Sequence, residues 1–113
     1  MMFYKKHLSQ IHEIKIRSFK NWCLPVHWMT TITIRKKNLR NKLIRFLLKS
    51  GVNARQMINP VHEARHFKNF FNSKDFKNSI NISRNSIHLP SSTSLKKEEI
   101  NFICKKIKIF FKK

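Results

Sequence analysis

Residues His62-Glu63-Ala64-Arg65-His66 spell the pattern H-E-x-x-H. On an α-helix, histidines at i and i+4 share a face, where two imidazoles can ligate Zn²⁺ while the glutamate activates water. The surroundings speak against that chemistry. No glycine and third histidine follow at metzincin spacing, the next glutamates, Glu98 and Glu99, open a different helix, and Pro60 stands two residues before His62. A chance match in a polar turn prevails, and no metal ligand is assigned. A second group, Arg35, Lys36, Lys37, Arg40 and Lys42, could neutralise phosphates. No recognition helix or aromatic RNA-binding motif accompanies it, so a solvated helix entrance is the plainer reading. Cys23 and Cys104 form no C-x-x-C pair. Cys104 falls on an apolar helical stripe and reads as a small core residue, not a nucleophile.

These side chains need elements to hold them. Residues 1–10 look polar and irregular. The alternation His12 to Arg17 predicts a short strand with Ile14 and Ile16 on one face. Phe19 to Val26, with Trp22 and Pro25, reads as a loop. His27 to Ile34 is rich in β-branched residues and predicts the main strand, with Trp28, Ile32 and Ile34 on one face. Asn38 is placed to cap a helix in which Leu39, Leu43, Phe46 and Leu47 recur at helical spacing. Arg40, Lys42, Arg45 and Lys49 then face water, and Gly51 supplies a left-handed stop. Val52 to Ile58 reads as another strand ended by Asn59-Pro60. His62 to Phe71 reads as a short helix with Phe67, Phe70 and Phe71 as its apolar side. Phe76 to Leu89 fits neither period cleanly, although Ile80, Ile87 and Leu89 suit a core. After a loop at 90–94 comes the clearest helix, with Glu98 and Glu99 in its first turn, lysines in its last, and a stripe of Ile100, Ile103, Cys104, Ile107 and Phe111. The expected architecture is α+β (an α/β sandwich): one small domain, 1–113, with helices packed on a small sheet.

Composition excludes several function classes. The chain has 113 residues, one Gly and two Cys. One glycine rules out both glycine-rich nucleotide loops, and two cysteines rule out a disulfide framework or a four-cysteine zinc site. No apolar run reaches the ~20 residues of a membrane span, and no apolar h-region follows Met1, so a cytoplasmic location is the default expectation. Lys plus Arg number 25 against five Asp plus Glu, a formal charge of +20. Ile, Lys, Asn, Phe and Tyr, whose codons are rich in A and T, make up almost half the chain, so nucleotide bias accounts for much of the lysine. Bias does not explain the scarcity of acids, and non-specific polyanion binding follows from the charge. A small basic nucleic-acid-binding protein is therefore the alternative function.

Several segments align, in order, with one family pattern. Trp28-Met29-Thr30-Thr31 opens a strand, and Leu47-Leu48-Lys49-Ser50-Gly51-Val52 ends a helix. Asn53-Ala54-Arg55 and Asn59-Pro60-Val61-His62 follow. Leu89-Pro90-Ser91-Ser92 then leads to Leu95-Lys96-Lys97-Glu98-Glu99-Ile100. Over about residues 11–111 the chain resembles the C-terminal part of the DegT–DnrJ–StrS sugar aminotransferases. In that family a helix ends in Leu-x-x-x-Gly-Ile, followed by an Arg and a Pro-x-His, and later by Leu-Pro-Ser and Leu-x-x-x-Glu-Ile. Lys96 departs from the Ser or Thr the family often places before the last helix, which weakens that helix start by about 1 kcal/mol.

The resemblance implies the small C-terminal domain of a fold type I, pyridoxal-phosphate enzyme that moves an amino group to a keto-sugar on a nucleotide. It carries over Arg55 and His62 as substrate-side residues. It implies that the large domain, with the Schiff-base lysine, has no counterpart in the chain, so no catalytic or cofactor-binding residue is assigned. A fragment of this kind is expected to be inactive and cofactor-free alone. Its expected partners are a nucleotide-sugar substrate and a separately encoded large domain, in a family that is usually homodimeric.

Overall fold

β-Branched residues build the centre of the sheet. In Thr30–Ile34 the order T-T-I-T-I puts Thr30, Ile32 and Ile34 on one buried face and Thr31 and Thr33 on the other. A computed structural model describes residues 2–26 and 28–112. Met1 and His27, expected first residues of the irregular start and of the main strand, lie outside the described residues, as does Lys113. The elements in chain order are α1 (Met2–Leu8), β1 (Ile14–Ile16), β2 (Thr30–Ile34), α2 (Leu39–Lys49), β3 (Arg55–Gln56), α3 (Lys77–Asn85), β4 (Ser86–Leu89) and α4 (Lys97–Phe111). Short 3₁₀ turns at Val61–Glu63 and Ser73–Phe76 lie between β3 and α3.

Among the described residues the strands form one antiparallel sheet in the order β1-β2-β4-β3. Ile14 pairs with Ile34, and Ile32 with Ile87, so one face is a continuous aliphatic surface. Leu43 and Leu47 of α2 and Ile103, Cys104 and Ile107 of α4 pack on it, with Tyr4 and Leu8 of α1. This is the expected α+β arrangement, four helices packed with a small sheet.

Several elements differ from expectation. Residues 2–8 are helical, because Tyr4 and Leu8, one turn apart, dock on α4 and the Tyr4 hydroxyl donates to the Pro90 carbonyl at 2.8 Å. Trp28 lies outside β2 and is 74% exposed. The strand expected at Val52–Ile58 shrinks to two residues, since Val52 and Ala54 are spent on burial at the turn after α2. The helix expected at His62–Phe71 does not form beyond the 3₁₀ turn, because Ala64 is extended at ψ 142°. Phe67, Phe70 and Phe71 stay exposed. Phe76–Leu89 divides at Asn85 into α3 and β4, which makes the undecided segment the source of a central strand.

The end of α2 follows its sequence closely. Gly51 has φ +78°, its amide donates to Leu48, and the Val52 amide reaches back to the Leu47 carbonyl at 2.9 Å. This is a Schellman ending, which satisfies carbonyls the helix leaves open. Asn38 stands at the N-cap but with φ +68° and no side-chain cap bond. At α4 the Glu99 carboxylate accepts from the Lys96 amide at 2.7 Å, whereas the Lys96 ammonium has no lone pair with which to return the bond.

Candidate functional site

The face of the sheet opposite the helices carries polar side chains in register. Thr31 of β2 stands opposite His88 of β4, and His88 opposite Arg55 of β3. Strand alternation sets this row, since Ile32 and Ile87, the next pair along, point to the core. Thr31 Oγ1 and His88 Nδ1 lie 2.9 Å apart. His88 Nε2 is buried and has no partner among the described residues. Burial pushes the His88 imidazole below its ordinary pKa. Arg55, on the edge strand, is exposed.

The chain leaving β3 is pinned at two points before it reaches His62. The Met57 amide donates to the Ser86 carbonyl, and Ser83 Oγ donates to the Ile58 carbonyl at 3.0 Å. Pro60 then starts the 3₁₀ turn that holds His62. The His62 ring stacks on Phe76 at 4.3 Å with 19° between planes, and the residue is only 6% exposed. Its Nε2 is buried without a partner among the described residues. An orphaned buried polar atom costs about 1–3 kcal/mol. Arg55 and His62 thus sit at the two ends of one anchored segment.

The other sequence-marked residues resolve into structural roles. In the H-E-x-x-H run, His62 is buried, Glu63 pairs with Arg84 at 3.2 Å, Ala64 is extended and His66 is exposed. The two imidazoles share no helical face, so the zinc geometry is missing. No cluster of three or more metal-ligating side chains exists among the described residues. Arg35, Lys36, Lys37 and Lys42 are exposed, as expected. Arg40 is not: it turns inward, and its Nη1 donates to the Ser83 carbonyl at 2.7 Å. Cys104 is buried, and burial pushes its thiol up to about 11, against a smaller opposing pull from Lys108. Such a thiol stays protonated at neutral pH and serves packing. Sequence reasoning missed His88, whose signal was the alternation Ser86-Ile87-His88-Leu89 within a segment too short to read alone.

The sequence pattern of the DegT/DnrJ/EryC1/StrS aminotransferase family matches residues 1–108. No curated protein matches the chain in sequence. Among solved structures, DesV of S. venezuelae, in complex with a ketimine intermediate, superposes with a TM-score of 0.90 at 15% identity, over 99% of this chain and 30% of its own. Spr1654 of Streptococcus pneumoniae, described as a sugar aminotransferase and solved in its PMP form, gives 0.84 at 21% identity, over 98% of this chain and 29% of its own. Helicobacter pylori PseC, an aminotransferase involved in the biosynthesis of pseudoaminic acid, gives 0.75 at 15% identity, over 98% and 30%. The chain therefore spans less than a third of the length of the structures it resembles.

Proposed function

Since the chain belongs to the DegT/DnrJ/EryC1/StrS aminotransferase family, we propose that it acts as the small C-terminal domain of a cytoplasmic, pyridoxal-phosphate-dependent nucleotide-sugar aminotransferase. In this reading Arg55 and His62 face the substrate, in surface polysaccharide or amino-sugar biosynthesis. The observation that carries it is the buried, unpaired Nε2 of His62, in the segment Pro60-Val61-His62 that resembles the family's Pro-x-His. A keto-sugar hydroxyl is a fitting partner for that nitrogen, because an imidazole nitrogen can donate or accept according to its tautomer. Arg55, exposed on the edge strand, suits an anionic substrate group.

The chain's own residues do not fit the cofactor. An internal Schiff base needs a desolvated lysine in a pre-formed cavity. None of the described lysines is buried. The amino-transfer chemistry therefore belongs to a large domain, supplied by a partner chain or by further sequence, in an assembly that follows the family's dimeric habit. No helix among the described residues is long and apolar enough to cross a membrane.

The test is complementation. The purified chain, mixed with pyridoxal phosphate, should show no bound-cofactor absorbance and no amino transfer. Added to a separately produced family large domain, it should restore transfer to a keto-sugar nucleotide, and His62→Ala should lower that activity at least tenfold. Stoichiometric cofactor held by the isolated chain would overturn the reading.

A further inference from the structure

The first turn of α2 and the length of α3 wall a cleft of about 510 Å³, within the range of sites that take nucleotide-sized ligands. Four cations line it: Lys37 and Arg40 from one side, Lys77 and Arg84 from the other. Amides, among them Asn41 and Asn81, stand between them, and no carboxylate lines the cleft.

The arrangement is built, not incidental. Arg40 bridges the two helices, with Nη1 on the Ser83 carbonyl at 2.7 Å and Nε on Asn41 Oδ1 at 3.0 Å. A guanidinium has five N–H donors, so three remain beyond those two bonds. Arg84 is held at its outer end by Glu63 at 3.2 Å. Arg40 is thus held across the cleft by two bonds and Arg84 by one exposed ion pair, while the exposed Lys37 and Lys77 complete the cationic lining. With Arg84 paired to Glu63, the charges of Lys37, Arg40 and Lys77 meet no carboxylate in the cleft lining and repel one another unless an anion lies among them, and a guanidinium matches phosphate oxygens.

We propose that this cleft binds a small anion carrying two or more phosphate groups. The proposal stands independently of the aminotransferase reading. A volume of about 510 Å³ suits a compact ligand and is far smaller than a nucleic-acid duplex, so a small anion is favoured over a polymer. The same chemistry is offered by free pyrophosphate and by the diphosphate of a nucleotide, and the experiment separates the two.

The full chain is titrated with inorganic pyrophosphate by calorimetry at physiological salt, with backbone-amide shifts followed by NMR. The shifts should concentrate at residues 37–41 and 77–85. The double variant Lys37→Gln/Lys77→Gln should bind about tenfold more weakly. Lys105→Gln/Lys112→Gln, which loses the same charge from exposed positions on and after α4, should bind like the parent. A nucleoside diphosphate that binds more tightly than pyrophosphate identifies a nucleotide as the source, and equal affinity identifies the phosphates alone. Both outcomes support the site. Equal weakening in both double variants, shifts spread over the whole surface, or duplex DNA binding without pyrophosphate binding would overturn it. Should Lys37→Gln/Lys77→Gln fail to fold, the shift map of the parent chain decides.

Discussion

Two imidazoles carry buried ring nitrogens that nothing among the described residues satisfies, and each sets a different expectation. His62 packs its ring on Phe76, so His62→Phe preserves the stack and removes the orphaned Nε2. An unsatisfied buried group costs about 1–3 kcal/mol, so this variant should gain about 1 kcal/mol in urea unfolding, while His62→Ala should lose about 2 kcal/mol by leaving a cavity. A Phe variant as unstable as the Ala variant would mean that Nε2 has a partner within the fold. The gain should come at the expense of activity in the complemented enzyme, where the nitrogen would be needed. His88 is expected to make stability depend on pH. Burial holds its folded-state pKa below the ordinary value of about 6.5. As pH falls, the unfolded chain takes up this proton first, so the stability is complete above about pH 6.5 and declines as pH drops toward the folded value. Urea midpoints at about pH 7.5 and about pH 5.5 should differ more in the parent than in His88→Gln, and an equal difference in both would remove His88 from the account. The sequence marks His62 through its Pro-x-His context, whereas His88 is invisible there. Its importance comes from Thr31 and Arg55, residues 57 and 33 positions away that only the sheet register brings beside it.

The elements that were legible are those whose signal is local. The stripe of α4, the stripe of α2 and the β-branched run of β2 each repeat with their own period; the two helices appear where the period places them, and the strand forms from Thr30 to Ile34, without Trp28. Elements defined by distant contacts were not legible. Residues 2–8 become a helix through Tyr4 and Leu8 packing against α4, a contact with the far end of the chain. The aromatic run Phe67, Phe70, Phe71 has helical spacing, yet only Phe71 finds a ring of another element, edge-on against Phe76 at 5.7 Å, and the backbone turns instead of forming a helix. Two left-handed residues bracket α2, and they make its ends the sharpest test at this scale. Gly51 has φ +78°, and a Cβ there would meet nothing within 4 Å. Gly51→Ala should therefore cost only the conformational penalty, about 1–2 kcal/mol, while Gly51→Asn should cost less because Asn tolerates the left-handed region. Asn38, at φ +68° and with no cap bond from its side chain, offers the mirror case. Asn38→Gly should leave stability unchanged or raise it by a few tenths of a kcal/mol. Thermal unfolding of the three variants is sufficient. An Ala variant at Gly51 that matches the parent would show that the left-handed ending is not needed.

Charge and apolar exposure oppose each other over the whole molecule. The net charge of +20 keeps copies apart, while the segment around residues 22–28 presents Trp22, Leu24, Val26 and Trp28 at 84%, 96%, 93% and 74% exposure. Phe70, at 79%, adds to the exposed apolar surface of the 58–76 segment. The radius of gyration of 15.2 Å exceeds the ~13 Å expected for a chain of this length. The excess fits long segments that lie over the periphery instead of joining the core. In the family reading these segments are the natural contact with a large domain, and in the isolated chain they face water. At low salt the repulsion between copies is long-ranged, and the chain should be monomeric. Salt shortens that range to a few ångströms near 1 M and leaves the apolar contacts intact or strengthened. Self-association should therefore rise with ionic strength, the reverse of an assembly held by ion pairs. Light scattering coupled to size exclusion, run at low and high salt, reads this directly. Trp22→Ser/Leu24→Ser changes two side chains that are almost wholly exposed, so its stability should match the parent while its association at high salt falls. If the variant associates as the parent does, the apolar segment at 22–28 is not the contact. If association instead weakens with salt, charge rather than buried apolar area holds the copies together.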